Sequence, residues 1–251
     1  MRIWTDLRSE LDAWETTHNT ATLWWRDDDA VAETPELNRL YEIAGAYDAA
    51  LCVAAIPAHV DQTIVSKSEW PVGSVLVQHG YAHENYAPEG TKKSEFGADR
   101  PIGDSVADIE RGWSVINRSI HALAAFVPPW NRISDAAIQA LPNLGFLGVS
   151  TFGPRKRAEP VHGLHQTNTH VDPIDWHGHR GYLGDDNAVS QVIEHLRKRR
   201  SGQVDANEPT GLLTHHLVHD EACWGFVERL AEVIAAHPGA RWLHGDEVFT
   251  S

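Results

Sequence analysis

Short apolar runs alternate with longer amphipathic ones along nearly the whole 251-residue chain, and this alternation restricts the fold more than any other feature. Continuous apolar stretches at 22–25, 51–56, 74–78, 124–127, 148–151, 164–169 and 211–215 read as buried strands, with a late candidate at 241–243. Segments with helical spacing cover 3–17, 35–46, 105–122, 135–141, 188–200 and 221–236. Thr34 before Pro35 and Asp104 before Ser105 supply helix-start signals. Strands separated by helices pair in parallel, so the choice narrows to an open α/β sheet or a (β/α) barrel. No repeat, low-complexity tract or Gly/Ser linker interrupts the pattern, and one domain over residues 1–251 is expected.

In parallel α/β folds the chemistry gathers at the carboxyl ends of the strands. Here Trp24-Trp25 runs into Arg26-Asp27-Asp28-Asp29, and Val75-Leu76-Val77 runs towards His79. Phe126-Val127 meets Pro128-Pro129-Trp130, and Leu212-Leu213 leads to His215-His216. Three adjacent carboxylates repel one another and call for a cation. Strand alternation would turn Asp27 and Asp29 to one side and Asp28 to the other. His79 and His83 would share one face if their segment enters a helix. With one aspartate they form a two-His, one-carboxylate set with open positions, the pattern of a catalytic metal rather than a structural one. Two prolines cannot sit inside a strand, so they form a stiff turn able to aim the Trp130 N–H at a developing oxyanion. His215 stands where a general acid is useful. Within Asp172-Pro173-Ile174-Asp175-Trp176, one carboxylate could orient His215 while Trp176 walls a pocket. Each group alone has an ordinary structural explanation, but their convergence on one rim and the total of 16 histidines point to chemistry.

Composition excludes several functions. The 21 Lys+Arg against 35 Asp+Glu give −14, which argues against nucleic acid as a partner. The run Arg197-Lys198-Arg199-Arg200 closes a helix, where it favours the dipole. No apolar stretch approaches the ~18–20 residues of a membrane span. Charge at Arg2 and Asp6 precedes any apolar run, so no secretory signal is visible and a cytoplasmic protein is expected. Cys52 and Cys223, in apolar contexts, read as buried reduced thiols. Residues 154–180, rich in His and Arg, could recognise an anionic group or form a solvated loop.

In this order, over residues 22–216, the elements resemble the polysaccharide deacetylase family, the NodB-homology or carbohydrate esterase family 4 group. The resemblance implies a distorted (β/α)7-type barrel and a divalent metal, usually zinc, with cobalt and manganese as alternatives. It assigns Asp28 as base and Asp29 as metal ligand, with Asp27-Asp28 as a second register. It assigns His79 and His83 as metal ligands, Trp130 as the oxyanion-hole residue and His215 as general acid. Asp172, Asp175 and Trp176 match the Asp-x-x-Asp-Trp motif, and Pro129, Asp175 and Trp176 are the implied substrate contacts. Two departures stand out: Ala30-Val31 replaces Gly-Pro after the aspartates, and Phe126-Val127 stands where an arginine usually precedes the Pro-Pro turn. Arg26 and Arg132 are the candidate replacements. The implied activity is metal-dependent hydrolysis of a non-peptide C–N bond, most simply deacetylation of an N-acetylated carbohydrate or sugar-containing metabolite. Two alternatives are hydrolysis of a small non-sugar amide or ureide, and a metal-holding glycan-binding module. In the latter, Trp24, Trp25, Trp130, Trp176 and Trp224 would stack on sugar faces. The expected partner is a small molecule or an oligosaccharide.

Overall fold

The computed structural model describes residues 2–249; Met1, at the head of the charged amino-terminal stretch, lies outside them. Its helices are α1 (Arg2–Thr16), α2 (Pro35–Ala46), α3 (Gln62–Val65), α4 (Ile102–Ile116), α5 (Asp135–Ala140), α6 (Asp185–Arg200), α7 (Glu221–Ala235) and α8 (Gly245–Val248). The strands are β1 (Ala21–Ala30), β2 (Leu51–Ala55), β3 (Val75–His79), β4 (Ala122–Val127), β5 (Gly148–Val149), β6 (His165–Gln166), β7 (Thr210–Thr214) and β8 (Ala240–Trp242). All pair in parallel in the order β6-β5-β4-β3-β2-β1-β7, with β8 against β1. This is the expected (β/α)7-type barrel.

The ring closes between β6 and β7 through irregular chain, which is where its distortion lies. The expected strand at 164–169 keeps only two ladder residues, because Asn168 turns its side chain onto the neighbouring backbone. Its Oδ1 accepts from Thr151 N at 2.9 Å and its Nδ2 donates to Gly153 O at 2.7 Å. Beyond it, His170 N donates to Gly211 O at 2.7 Å and Leu213 N to Val171 O at 2.8 Å, sealing the gap. A Cβ on Gly211 would lie 2.6 Å from the Asn168 carbonyl oxygen, so this seam requires glycine.

Several local expectations change. β1 continues through the aspartates to Ala30. Thr34 caps α2, accepting from Leu37 N at 3.1 Å. Asp104 is not a cap: α4 begins at Ile102 after Pro101, and Asp104 lies in its first turn, where a carboxylate favours the dipole. α4 ends at Ile116, leaving a turn before β4. The basic run does more than close α6. Arg199 is buried and donates to Thr22 O at 2.8 Å, while Arg197 and Arg200 both pair with Glu10 of α1. Trp24 and Trp25 are fully buried, with indole N–H groups donating to Asn168 O and Thr214 Oγ1. Trp224 is buried beneath the Arg39 guanidinium. These three tryptophans are core residues, not glycan platforms. Cys52 and Cys223 are free and buried, and burial pushes both thiols up to about 12. No described helix is long and apolar enough to cross a membrane.

A second histidine cluster, buried near the amino-terminal end of β7, supports the seam. The His170 and His195 rings stack with centroids 3.4 Å apart, and His170 Nε2 faces Glu208 at 3.4 Å. Gly211 N donates to His170 Nδ1 at 3.0 Å, so the neutral ring carries its proton on Nε2 and offers no lone pair there to a cation. Burial and the nearby arginine charge depress His170 to about 3; burial and the His170 ring depress His195 to about 2. The unfolded chain therefore takes up protons on both imidazoles as pH falls through about 6.5, while the fold refuses them. Glu208 opposes this between pH 7 and 4.5, since burial raises its carboxyl to about 7 from 4.5. Net acid destabilisation is thus partly offset between pH 6.5 and 4.5 and steepest below pH 4.5. In His195→Gln, urea unfolding should show a pH slope between pH 4.5 and 3 shallower by about 1.4 kcal/mol per pH unit. An unchanged slope would mean that His195 titrates alike in both states.

Candidate active site

The site is built on a bulge in β1. Asp27 pairs with Val53 but Ala30 with Ala55, so β1 carries one residue more than β2 over that stretch, and Asp29 takes φ +69°. The bulge reverses the alternation expected for the aspartates. Asp28 and Asp29 both line the cavity, while Asp27 turns into the core. There it accepts from the Thr214 hydroxyl at 2.7 Å and His216 N at 3.1 Å, and lies 2.5 Å from His216 Nδ1. Burial alone would raise Asp27, but the paired His216 holds it below the usual carboxylate range. The register with Asp28 and Asp29 at the cavity is therefore the one present.

His79 ends β3, but the chain after it is not helical. Gly80 takes φ +55° and His83 φ +57°, so the two imidazoles meet across a loop. A Cβ on Gly80 would lie 2.5 Å from Pro129 Cγ, so the turn needs glycine twice over. Pro129 is buried against this turn, and the cavity lining does not include it. Glu95 fixes the loop, accepting from Tyr81 N at 3.1 Å and Ala82 N at 2.7 Å. Burial raises its carboxyl despite those donors. No motif marks Glu95 in the sequence, because its partners are backbone N–H groups.

The rings of His79 and His83 converge on one oxygen. Their Nε2 atoms lie 3.1 and 3.4 Å from Asp29 Oδ1. His79 Nδ1 lies 3.1 Å from the Val127 carbonyl, which can only accept, so Nδ1 carries the proton and Nε2 presents a lone pair. Asp29 Oδ1 is buried and has no hydrogen-bond partner among the described residues. Lone pairs facing an unpartnered carboxylate oxygen repel unless a cation stands between them. The three ligand atoms lie within 4.8 Å of one another, and the set fits a divalent ion of the zinc type.

Beside this set, Arg26 faces both oxygens of Asp28. Nη2 donates to Oδ2 at 2.9 Å and Nε lies 2.8 Å from Oδ1. The same guanidinium donates to Ser150 Oγ and Asn131 Oδ1, each at 2.6 Å. Of the two candidate arginines, Arg26 is the one that pairs with Asp28, reached from β1 itself. Arg132 is elsewhere, donating to Lys93 O at 2.8 Å. Ser150 and Asn131 carry no signal of their own in the sequence beyond lying at strand ends.

Trp130 takes φ +55°, its ring packs on His83 at 4.3 Å, and its N–H has no acceptor among the described residues. His215 follows β7 with Nδ1 buried and unpartnered, which leaves Nε2 to meet the cavity. Among the described residues no carboxylate bonds to its ring. Asp172 instead accepts from Trp176 Nε1 at 2.7 Å, and the Trp176 ring packs edge-on against His215 at 4.8 Å. Orientation of His215 therefore passes through the indole. Burial raises the Asp172 carboxyl. Asp175 lines the cavity, but its oxygens accept from Gly178 N at 2.9 Å and face His179 Nδ1 at 3.1 Å, within its own turn. His219 is half-buried with its ring against Trp224 and depressed by burial to about 4. The cavity has a volume of about 940 Å³.

No family model and no curated protein matches the sequence. Solved structures do. A Mycobacterium smegmatis protein described as a polysaccharide deacetylase is similar with TM-score 0.65 and 15% identity, over 91% of this chain and 88% of that one. The Puue allantoinase is similar with TM-score 0.60 and 11% identity, over 91% and 89%. A family 4 acetyl xylan esterase from Clostridium thermocellum, in complex with a cobalt ion, gives TM-score 0.53 and 12% identity, over 91% and 90%. The chain has the barrel fold of the polysaccharide deacetylases and family 4 carbohydrate esterases, carried by a divergent sequence.

Proposed function

We propose that the protein is a divalent-metal-dependent hydrolase of a non-peptide amide, most simply a deacetylase of an N-acetylated sugar or sugar-containing metabolite. The observation that carries this reading is the convergence of His79 and His83 on Asp29 Oδ1 directly beside the Arg26–Asp28 pair. A divalent ion held by Asp29, His79 and His83 supplies Lewis acidity at the acyl carbonyl and acidifies water. The nitrogen-rich donor set suits zinc, with cobalt, as in the C. thermocellum esterase, and manganese as alternatives.

The chain's own residues divide the proton work. Asp28, paired with Arg26, accepts the proton of the attacking water. The unpartnered Trp130 N–H donates to the oxygen that gains charge as the acyl carbon becomes tetrahedral, a contribution of roughly 3–4 kcal/mol. His215 Nε2 donates a proton to the departing nitrogen as the C–N bond breaks. Trp130 and Trp176 give a sugar ring two aromatic walls, and Asp175 meets the substrate at the cavity edge.

A small amide or ureide is the second reading, favoured by the likeness to the Puue allantoinase. Acetate release from N-acetylated sugars, measured beside ring opening of allantoin, separates the two.

Asp28→Asn should lose about 10²–10⁴-fold in kcat while metal content stays near one equivalent per chain. His79→Ala should lose the metal itself. Turnover retained in Asp28→Asn removes it from the base role; a metal-free wild type after reconstitution with zinc, cobalt or manganese contradicts the whole assignment.

A further inference from the structure

Resting on the hydrolase reading, we propose that the molecule bearing the amide also carries an oxyanion, a phosphate or a carboxylate, recognised by Arg132 and Arg180 with support from Lys92. The chain's formal charge is −14, yet all three cations line the catalytic cavity. None of them has a carboxylate within ion-pair distance among the described residues. Several cations elsewhere are paired, Arg39 with Glu221, Lys67 with Glu33, Arg155 with Asp205 and Lys198 with Glu194.

The carboxylates of the same wall are committed, Asp29 to the proposed metal and the others to neighbouring groups. Asp28 faces Arg26, Asp29 faces the two imidazoles, Asp172 holds Trp176, and Asp175 holds its own turn. An entering ligand therefore meets free positive charge and engaged negative charge. One nitrogen of Arg132 is anchored on the Lys93 carbonyl, which fixes the side chain while leaving the rest of its fork open. A guanidinium fork matches an oxyanion geometrically, whereas an ammonium adds a point charge. The basic character of residues 154–180 divides accordingly. Arg155 is buried and turned to Asp205 and the Gln166 carbonyl, away from the cavity, and Arg180 is the arginine of that segment that reaches it.

Matched probes test the idea: N-acetylglucosamine, its 6-phosphate, and the analogue with a carboxylate at the same carbon. Binding to the full-length zinc-loaded protein is measured by titration calorimetry at low and at moderate salt. At least one anionic probe should bind about tenfold more tightly than the neutral sugar at low salt, with the advantage shrinking as salt rises. In Arg132→Gln/Arg180→Gln the advantage should fall below about threefold, while Arg118→Gln, outside the cavity, should keep it. Whichever anionic probe gains identifies the oxyanion. Equal binding of all three, no binding of either anionic probe, or an advantage surviving the double substitution overturns the proposal. Acetate release is scored separately. A binding preference without release from any probe removes the deacetylase reading and keeps the anion site; release without preference does the reverse.

Discussion

The buried ion pair between Arg26 and Asp28 holds the site together. Arg26 is fully buried, so its charge is tolerable only because acceptors surround it: Asp28, Ser150 and Asn131. Those groups come from β1, the end of β5 and the Pro-Pro-Trp turn. One guanidinium thereby fixes Asp28, the proposed base, the wall opposite it and the turn that carries the proposed oxyanion donor. Removing one partner of such a pair costs about 3–5 kcal/mol, since the other charge is left buried and uncompensated. Position 26 therefore bears on folding and chemistry at once.

The barrel stores its local strain in the same place. Of the seven described non-glycine residues at positive φ, five line the catalytic cavity: Asp29, His83, Trp130, Asn131 and Arg180. Each such residue costs of order 1–3 kcal/mol and persists only where its surroundings hold it. The restraints here are identifiable. Asp29 sits in the β1 bulge, the loop leading to His83 is tied to Glu95, and Asn131 is held by Arg26. The far end of β7 is governed differently, by stacked neutral imidazoles and by Gly211 at the seam.

The strand-helix alternation made the barrel legible because parallel strands must be both apolar and separated by helices. The strand-end rule then located Asp29, His79, Trp130 and His215 on one rim. What it could not supply was the local backbone. Ideal alternation put Asp28 opposite Asp29, and a bulge undid it. Ideal helical spacing put His79 and His83 on one face, and a left-handed glycine brought them together across a loop instead. The absence of an arginine before Pro128 left Arg26 and Arg132 as candidates, and only the fold shows that Arg26, more than 100 residues earlier in the chain, is the one beside Asp28. Glu95 was hidden for a different reason: it acts on main-chain N–H groups, which leave no pattern in side-chain identity. Pro129 packs against Gly80, and the carboxylate that could orient His215 reaches it through Trp176 rather than by direct contact.

The central claim is that one divalent ion sits among Asp29, His79 and His83. X-ray absorption at the zinc edge of the reconstituted protein tests it most directly. The arrangement predicts two imidazole nitrogens at about 2.0–2.1 Å with only oxygen completing the shell. Sulfur ligation at about 2.3 Å, or a shell without imidazole, would place the ion elsewhere and contradict the account.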